Sequence, residues 1–307
     1  MFFCQTEKIE IVGSCFRQFL YFFKTIYIYI SCGFNFIMDS KKRFEKIIAD
    51  IKSVKIQGAR NVAKAGLFAY NLISTKSAKN KILSVRPTEP MLLHSLNYFE
   101  KFGYKKTLEH FDDTQEKINK FVFKLIKSQD KIFTHCHSTN VVNALIYSKK
   151  KGKNFQVYNT ETRPLFQGRK TAKQLKNAKI PVTMFVDSAV ATALEKENRK
   201  DKIYSDKIFL GADAILKTGV INKIGSKMIA ELAYKNKIPV FIVADSWKFS
   251  KTKVPIEQRS LNEVWDKAPK KIKIQNPAFE FIEKKYIKAI VSEFGILSFE
   301  KFLKRVN

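Results

Sequence analysis

The apolar positions of this chain change period once, and the change divides it. Over residues 44–123 they recur at helical spacing, with Phe44, Ile47, Ile48 and Ile51 in one stripe, Val62, Ala65, Ala69 and Leu72 in a second, and Met91, Leu92, Leu96 and Phe99 in a third. After Asp130 the pattern becomes short apolar runs, each followed by a polar turn and a helical segment. Strands are predicted at 131–135, 155–158, 182–186, 208–210, 240–243 and 288–292. Repeated strand, turn and helix units of this length predict an α/β chain: an N-terminal helical domain over 38–128, then a Rossmann-like doubly wound parallel sheet domain over 129–307. Residues 1–37 stand apart as an apolar N-terminal extension.

Candidate chemistry clusters where strands end. Ile208, Phe209 and Leu210 run into Gly211-Ala212-Asp213, which puts a carboxylate at the carboxyl end of a strand, where open α/β sheets bind ligands. Lys217, Thr218 and Gly219 then read as a turn. Asn222 reads as the N-cap of a helix carrying Ile224, Met228, Ile229, Leu232 and Ala233, and its free N–H groups with Lys223 suit a phosphate. A carboxylate followed by a capped helix is also ordinary architecture. Cys136, Glu161, Arg163, Asp187, Asp213 and Lys248 all follow a strand within a few residues, so a parallel sheet gathers them at one edge.

Two interruptions in the helical half carry basic residues. Gln57-Gly58-Ala59-Arg60 places a glycine and an arginine where one helix gives way to the next. At Val85-Arg86-Pro87-Thr88, Pro87 drives Arg86 out of helical geometry onto an extended loop. Each suits a phosphate cradle as well as a plain connection. Ser138 or Thr139 caps the helix that holds Val141, Val142, Ala144 and Leu145. No GxGxxG or P-loop sequence follows the first strand, so no dinucleotide is indicated. A thiol, carboxylates and cations on one edge suit proton transfer on a phosphorylated small molecule.

Composition changes this picture little. Hydrophobic residues at 45% and charged residues at 28% exclude a disordered chain and a polytopic membrane protein. The formal charge of +29 invites a nucleic-acid reading, but the lysines are spread over the whole length without a recognition motif. No specific nucleic-acid partner is expected, and an anionic substrate profits from the field. Cys4, Cys15, Cys32 and Cys136 show no CxxC pairing and no metal spacing, so neither disulfides nor a metal is expected. The stretch 19–38 approaches the length of a membrane span but contains Lys24. Met38 opens an ordinary polar helix start, and the reading favours it as the functional start of a cytoplasmic protein with no membrane contact, against an anchor or an extra packing segment.

Three stretches carry a resemblance: TETRPLFQGR (160–169), GADAI with INKIGS (211–226), and ADSWKF (244–249). In that order and spacing, the chain from residue 39 to 307 resembles the family shared by the alpha, beta and delta subunits of translation initiation factor 2B, methylthioribose-1-phosphate isomerase and archaeal ribose-1,5-bisphosphate isomerase. The isomerases of that family are similar in having a cysteine after the first sheet strand and an aspartate in the GAD segment. Both are present, as Cys136 and Asp213. The C-terminal stretches IEQRSLNEVW and NPAFEFIEKKYIKAIVSEFG look most like the ribose-1,5-bisphosphate enzymes. Two departures stand out. The usual Arg-Gly-Ala turn is Gln57-Gly58-Ala59 with Arg60 one place later, and His137 stands where a smaller polar residue is common.

The resemblance implies isomerisation of α-D-ribose 1,5-bisphosphate to D-ribulose 1,5-bisphosphate in AMP and nucleoside degradation. It implies Asp213 as the acid at the ring oxygen and Cys136 as the proton carrier, its thiolate favoured by a helix start. Substrate contacts implied are Gln57, Gly58, Ala59, Arg60, Arg86, His137, Ser138, Thr139, Asn222, Lys223 and Lys248. No cofactor is required, AMP is an expected activator, and a homo-oligomer, dimer or hexamer, is expected. A regulatory subunit without catalysis, or a methylthioribose-1-phosphate isomerase, are the alternatives.

Overall fold

In the computed structural model the described residues are 39–195 and 204–307, and the apolar stretch before Met38 lies outside them, as does the choice of start. Among the described residues no helix is long and apolar enough to cross a membrane. The helical part is α1 (residues 39–52), α2 (Ala59–Leu72), α3 (Lys76–Val85) and α4 (Pro90–Leu125). Phe44, Ile48, Ile51, Val62, Leu67, Met91, Leu92, Leu96 and Phe111 close one core among these helices. The three predicted stripes face it, with Ile47, Ala65 and Phe99 at its margin, while Leu72 is half-buried outside that cluster. Thr75 caps α3 by accepting the Ala78 N–H at 3.2 Å. The helix stops at Arg86, which leaves helical geometry (φ −146°, ψ 69°) because Pro87 follows it. Gly103 breaks α4 with a left-handed φ of 79°.

The sheet part begins with β1 (Asp130–Thr134), α5 (Thr139–Lys150), β2 (Phe155–Thr160), α6 (Gln167–Asn177), β3 (Val182–Phe185) and α7 (Val190–Leu194). It continues with β4 (Lys207–Leu210), β5 (Ala214–Leu216), β6 (Gly219–Lys223), α8 (Ser226–Lys235) and β7 (Val240–Val243), then β8 (Phe279–Glu283), β9 (Ala289–Ser292), β10 (Gly295–Leu297) and α9 (Phe299–Val306). The main sheet runs β10-β9-β7-β4-β1-β2-β3, parallel except for the β9–β10 hairpin. Each of the six predicted strands is found within two residues of its expected ends.

The central strands β4, β7 and β9 are mostly apolar because both faces are covered. Phe133, Ile208, Leu210, Val240, Ile242 and Ile290 pack toward α8 and α9. The alternating neighbours Ile132, Phe209, Phe241, Val243 and Val291 pack toward α4 and α5. The order of the parallel strands reverses between β1 and β4, and a doubly wound sheet opens a crevice at that point.

One expectation fails here. Asn222 is not a helix cap: it lies in β6, which pairs antiparallel with β5 and with β8 as a second, three-stranded sheet. The expected turn at Lys217 and Thr218 is the β5–β6 hairpin, and α8 starts only at Ser226, with Gly225 as its cap residue. The open N–H of Lys227 is already taken by the Glu280 carboxylate of β8 at 2.7 Å, so that helix start holds a side chain where a phosphate was expected.

Candidate active site

A pocket with about 960 Å³ of empty space, its mouth included, opens at the β1–β4 crevice and is roofed by the helical part. Two segments reach it from the helices: residues 57–60 at the start of α2, and Arg86 with Glu89 before α4. The sheet supplies residues 135–140 after β1, Gly211 to Asp213 after β4, Asn222 and Lys223 from β6, and Lys248 after β7. Every predicted site residue lines this pocket. Of the six residues expected at the sheet edge, Cys136, Asp213 and Lys248 are in it, whereas Glu161, Arg163 and Asp187 build the loop behind Cys136. The Asp187 carboxylate accepts the N–H groups of Thr162 (2.9 Å) and Arg163 (2.6 Å), and Glu161 pairs with Arg169 at 3.0 Å.

That loop fixes the thiol. Cys136 sits in the left-handed region at φ 65°, and Thr162, a β-branched residue, sits there too at φ 62°. Such backbone costs of order 1–3 kcal/mol per residue and persists only where the surroundings enforce it. Here the Cys136 N–H donates to Thr162 Oγ1 at 3.0 Å, and Thr171 Oγ1 donates to the Cys136 carbonyl at 2.8 Å. Because the Thr171 hydroxyl proton is used there, His137 must donate from Nδ1 to that hydroxyl, 3.0 Å away. His135 is fixed likewise: Nε2 donates to the Ile224 carbonyl at 2.8 Å, so Nδ1 accepts from Thr160. Burial, then the charge of Lys170, pushes His137 down to about 4, so it meets a ligand as a neutral ring.

Gly168 closes the same loop onto α6. A Cβ at this position would stand 1.8 Å from the Thr160 carbonyl oxygen, a contact with backbone that no rotamer change relieves. Gly168→Ala is therefore expected to cost about 2 kcal/mol or more and lower the melting temperature by roughly 5 °C, read by calorimetry. An unchanged melting temperature would refute the close approach.

The chemistry of the two central groups is set by burial. Burial pushes the Cys136 thiol up to about 11, although the nearby Lys223 charge pulls it down. The expected thiolate at the α5 start is thus corrected, since removal from water outweighs the helix end and the lysine. The thiol form therefore dominates near neutral pH. Alkylation of Cys136 by iodoacetamide, followed by peptide mass mapping, is expected to accelerate about tenfold per pH unit from 7 to 10. A plateau near pH 8.5, as in a free cysteine, would overturn this. Asp213 is also raised by burial, against the charges of Lys248, Lys223 and Arg86, and so favours its acid form.

The cations divide into committed and open ones. Arg60 is held by α4, donating to Asp112 (2.9 Å) and Gln115 (3.0 Å). Lys248 donates to the Ala212 carbonyl at 2.5 Å, and burial lowers its pKa. Lys223 is buried yet makes no ion pair among the described residues. Arg86 is 7% exposed and meets Glu89 (3.3 Å) and Glu257 (3.2 Å) through Nη2 alone, leaving Nε and Nη1 buried without partners. Buried cationic donors left without partners are costly unless an anion meets them. Ser138 caps α5 by accepting the Val141 N–H at 3.4 Å, while Gly58, at φ 84°, starts α2 with no side-chain cap. Both helix starts face the pocket.

Sequence reasoning missed Glu89, His135, Asn140, Gln167, Lys170 and Arg259 as pocket residues. Glu89 lay three places after Arg86, but nothing in the local pattern marked it as buried. Arg259 lies in the C-terminal stretch quoted for its resemblance and is pinned by Glu257 and Glu263.

The model of the Initiation factor 2 subunit family matches residues 103–299. The chain is 34% identical to a ribose 1,5-bisphosphate isomerase of Methanocaldococcus jannaschii, over 84% of this chain and 91% of that one. It is 30% identical to a methylthioribose-1-phosphate isomerase of Acetivibrio thermocellus, over 84% of this chain and 77% of that one. The structure of a Pyrococcus horikoshii OT3 translation initiation factor eIF-2B superposes with a TM-score of 0.74 at 23% identity, covering 83% of this chain and 97% of that one, a likeness of fold.

Proposed function

The chain belongs to the Initiation factor 2 subunit family and is an isomerase of it, and from that premise we propose that it converts α-D-ribose 1,5-bisphosphate to D-ribulose 1,5-bisphosphate. The observation that carries this reading is one pocket holding a thiol and a carboxyl at the β1–β4 crevice together with two cations from different elements, Arg86 of the helical part, with two unpartnered nitrogens, and Lys223 of β6. Two cationic groups in one pocket with proton-transfer groups suit a sugar phosphorylated at both ends.

A sugar phosphorylated on its anomeric oxygen cannot open as a free hemiacetal, so ring opening needs an acid. Asp213, kept in its acid form by burial, gives its proton to the ring oxygen as the C1–O bond of the ring breaks. Cys136 first gives its proton to solvent, and the thiolate, which the Lys223 charge favours, then takes the proton from C2. The electron pair left behind forms the C1–C2 double bond of an enol phosphate. The thiol then returns the proton to C1 while the C2 hydroxyl gives its proton to Asp213 and becomes the carbonyl. Asp213 ends as it began, and Cys136 takes a proton back from solvent.

Self-association is part of the same proposal. The edge strand β3 pairs on one side only and exposes Met184, with Val186 just beyond it, a surface that a second copy would cover. The activity is tested by offering the chain ribose 1,5-bisphosphate, ribose 1-phosphate and methylthioribose 1-phosphate and following ketose formation by NMR. Turnover of the bisphosphate alone is expected. Preference for the thioether sugar, or no turnover of any of the three, would overturn the assignment.

A further inference from the structure

Glu89 is the most buried carboxylate in the pocket, 3% exposed, and no feature of the proton-transfer scheme uses it. Its Oε1 meets Arg86 Nη2 at 3.3 Å, while its Oε2 is buried with no partner among the described residues. The groups facing it come from four segments. Arg86 precedes it on its own loop, Glu257 comes from the connection before β8, Asp213 follows β4 and Lys248 follows β7. The Arg86 guanidinium already serves two carboxylates, Glu89 and Glu257, and Arg259 draws on Glu257 as well. A phosphate arriving at the bare Nε and Nη1 of Arg86 would be a third anion around one cation. The cluster stays together only if one carboxyl becomes neutral, and the one least able to reach water is Glu89.

Resting on the sugar-phosphate reading above, we propose that Glu89 is a further binding and specificity-determining residue, a neutral acid whose unpartnered oxygen donates a hydrogen bond to the bound sugar phosphate. A carboxylic acid gives this wall a donor where an ionised carboxylate would repel the ligand. The coupling to pH has a definite sign. In the free chain, burial first and Asp213 second hold Glu89 at about 8, against the charges of Arg86 and Lys248. A bound anion raises it further, so ligand binding takes up a proton above pH 8 and none at pH 6.

The test is calorimetric titration of the full chain with ribulose 1,5-bisphosphate at pH 6 and pH 9, in two buffers of different ionisation enthalpy, which counts protons taken up. At pH 9 the parent is expected to take up close to one proton more than Glu89→Gln, and the two should agree at pH 6. Between pH 8 and 9 the parent's affinity should fall about fivefold relative to that variant. Glu89→Ala, which lacks a donor, should show the same reduced proton count as Glu89→Gln and bind about five- to tenfold more weakly than it at pH 6. A residue that merely braced Arg86 would move affinity in both variants and leave the proton count alone. Binding with equal proton counts in the parent and both variants overturns the role of Glu89. Failure of the parent to bind the bisphosphate at all overturns the sugar-bisphosphate reading, and this role with it.

Discussion

Cys136→Ser and Asp213→Asn are each expected to lower turnover of ribose 1,5-bisphosphate by about a hundred- to ten-thousandfold, the range that a positioned acid or base supplies. Both swaps keep size. The Asn amide has no proton to give the ring oxygen, and a serine hydroxyl is far less acidic even than a thiol raised to about 11. Folding should survive, because Cys136 is tied into the fold through its backbone N–H and carbonyl, contacts that the substitution leaves in place. Binding of the bisphosphate should change little. The two losses should not multiply, since groups acting in one proton-transfer sequence fail together. The measurement is single-turnover kinetics with binding checked by calorimetry. Parent-like turnover in either variant would remove that residue from the mechanism.

Arg86→Ala is expected to weaken binding of the bisphosphate by roughly ten- to a hundredfold, corresponding to about 1.5–3 kcal/mol for a charge-assisted contact. The loss should sit near the upper end. Without the guanidinium, the Glu257 carboxylate faces the incoming phosphate unopposed, having stood 3.2 Å from Nη2. Ribose 1-phosphate, with a single phosphate, should lose much less, and Arg86→Lys should restore charge but not the two donors Nε and Nη1. Equal losses for the two sugars, measured by calorimetry, would mean that Arg86 braces the fold or holds the anomeric phosphate.

The sheet was readable because its strands are buried on both faces and so leave uninterrupted apolar runs such as Val240–Val243. Cys136 and Asp213 were readable for the same reason, since each follows such a run. The Ser138 cap obeyed local chemistry alone. The β5–β6 hairpin was hidden because its strands hold three and five residues, and its stabilising partner β8 lies more than fifty residues downstream. With that partner unseen, Asn222 took on the look of a cap. Glu89 was hidden for a related reason: the charged groups around it, Asp213, Lys248 and Glu257, are brought to it only by the tertiary fold. The protonated thiol was misjudged because a helix start is visible in sequence, whereas the depth of the pocket around it is not.

The crevice also separates two tasks by layer. Cys136 and Asp213, the proposed proton-moving pair, follow β1 and β4, and the Thr162 and Asp187 loop braces Cys136 from behind. Much of the facing wall, from Gln57 to Arg60 and from Arg86 to Glu89, belongs to the ends of helices and to a loop. Loops of that kind can be rebuilt without moving a buried strand. Changing what the wall greets, a phosphate or something apolar, therefore leaves the reaction centre intact. Selection can rewrite the guest list of such a protein by editing two short helical connections, which gives one scaffold a ready route from sugar to sugar.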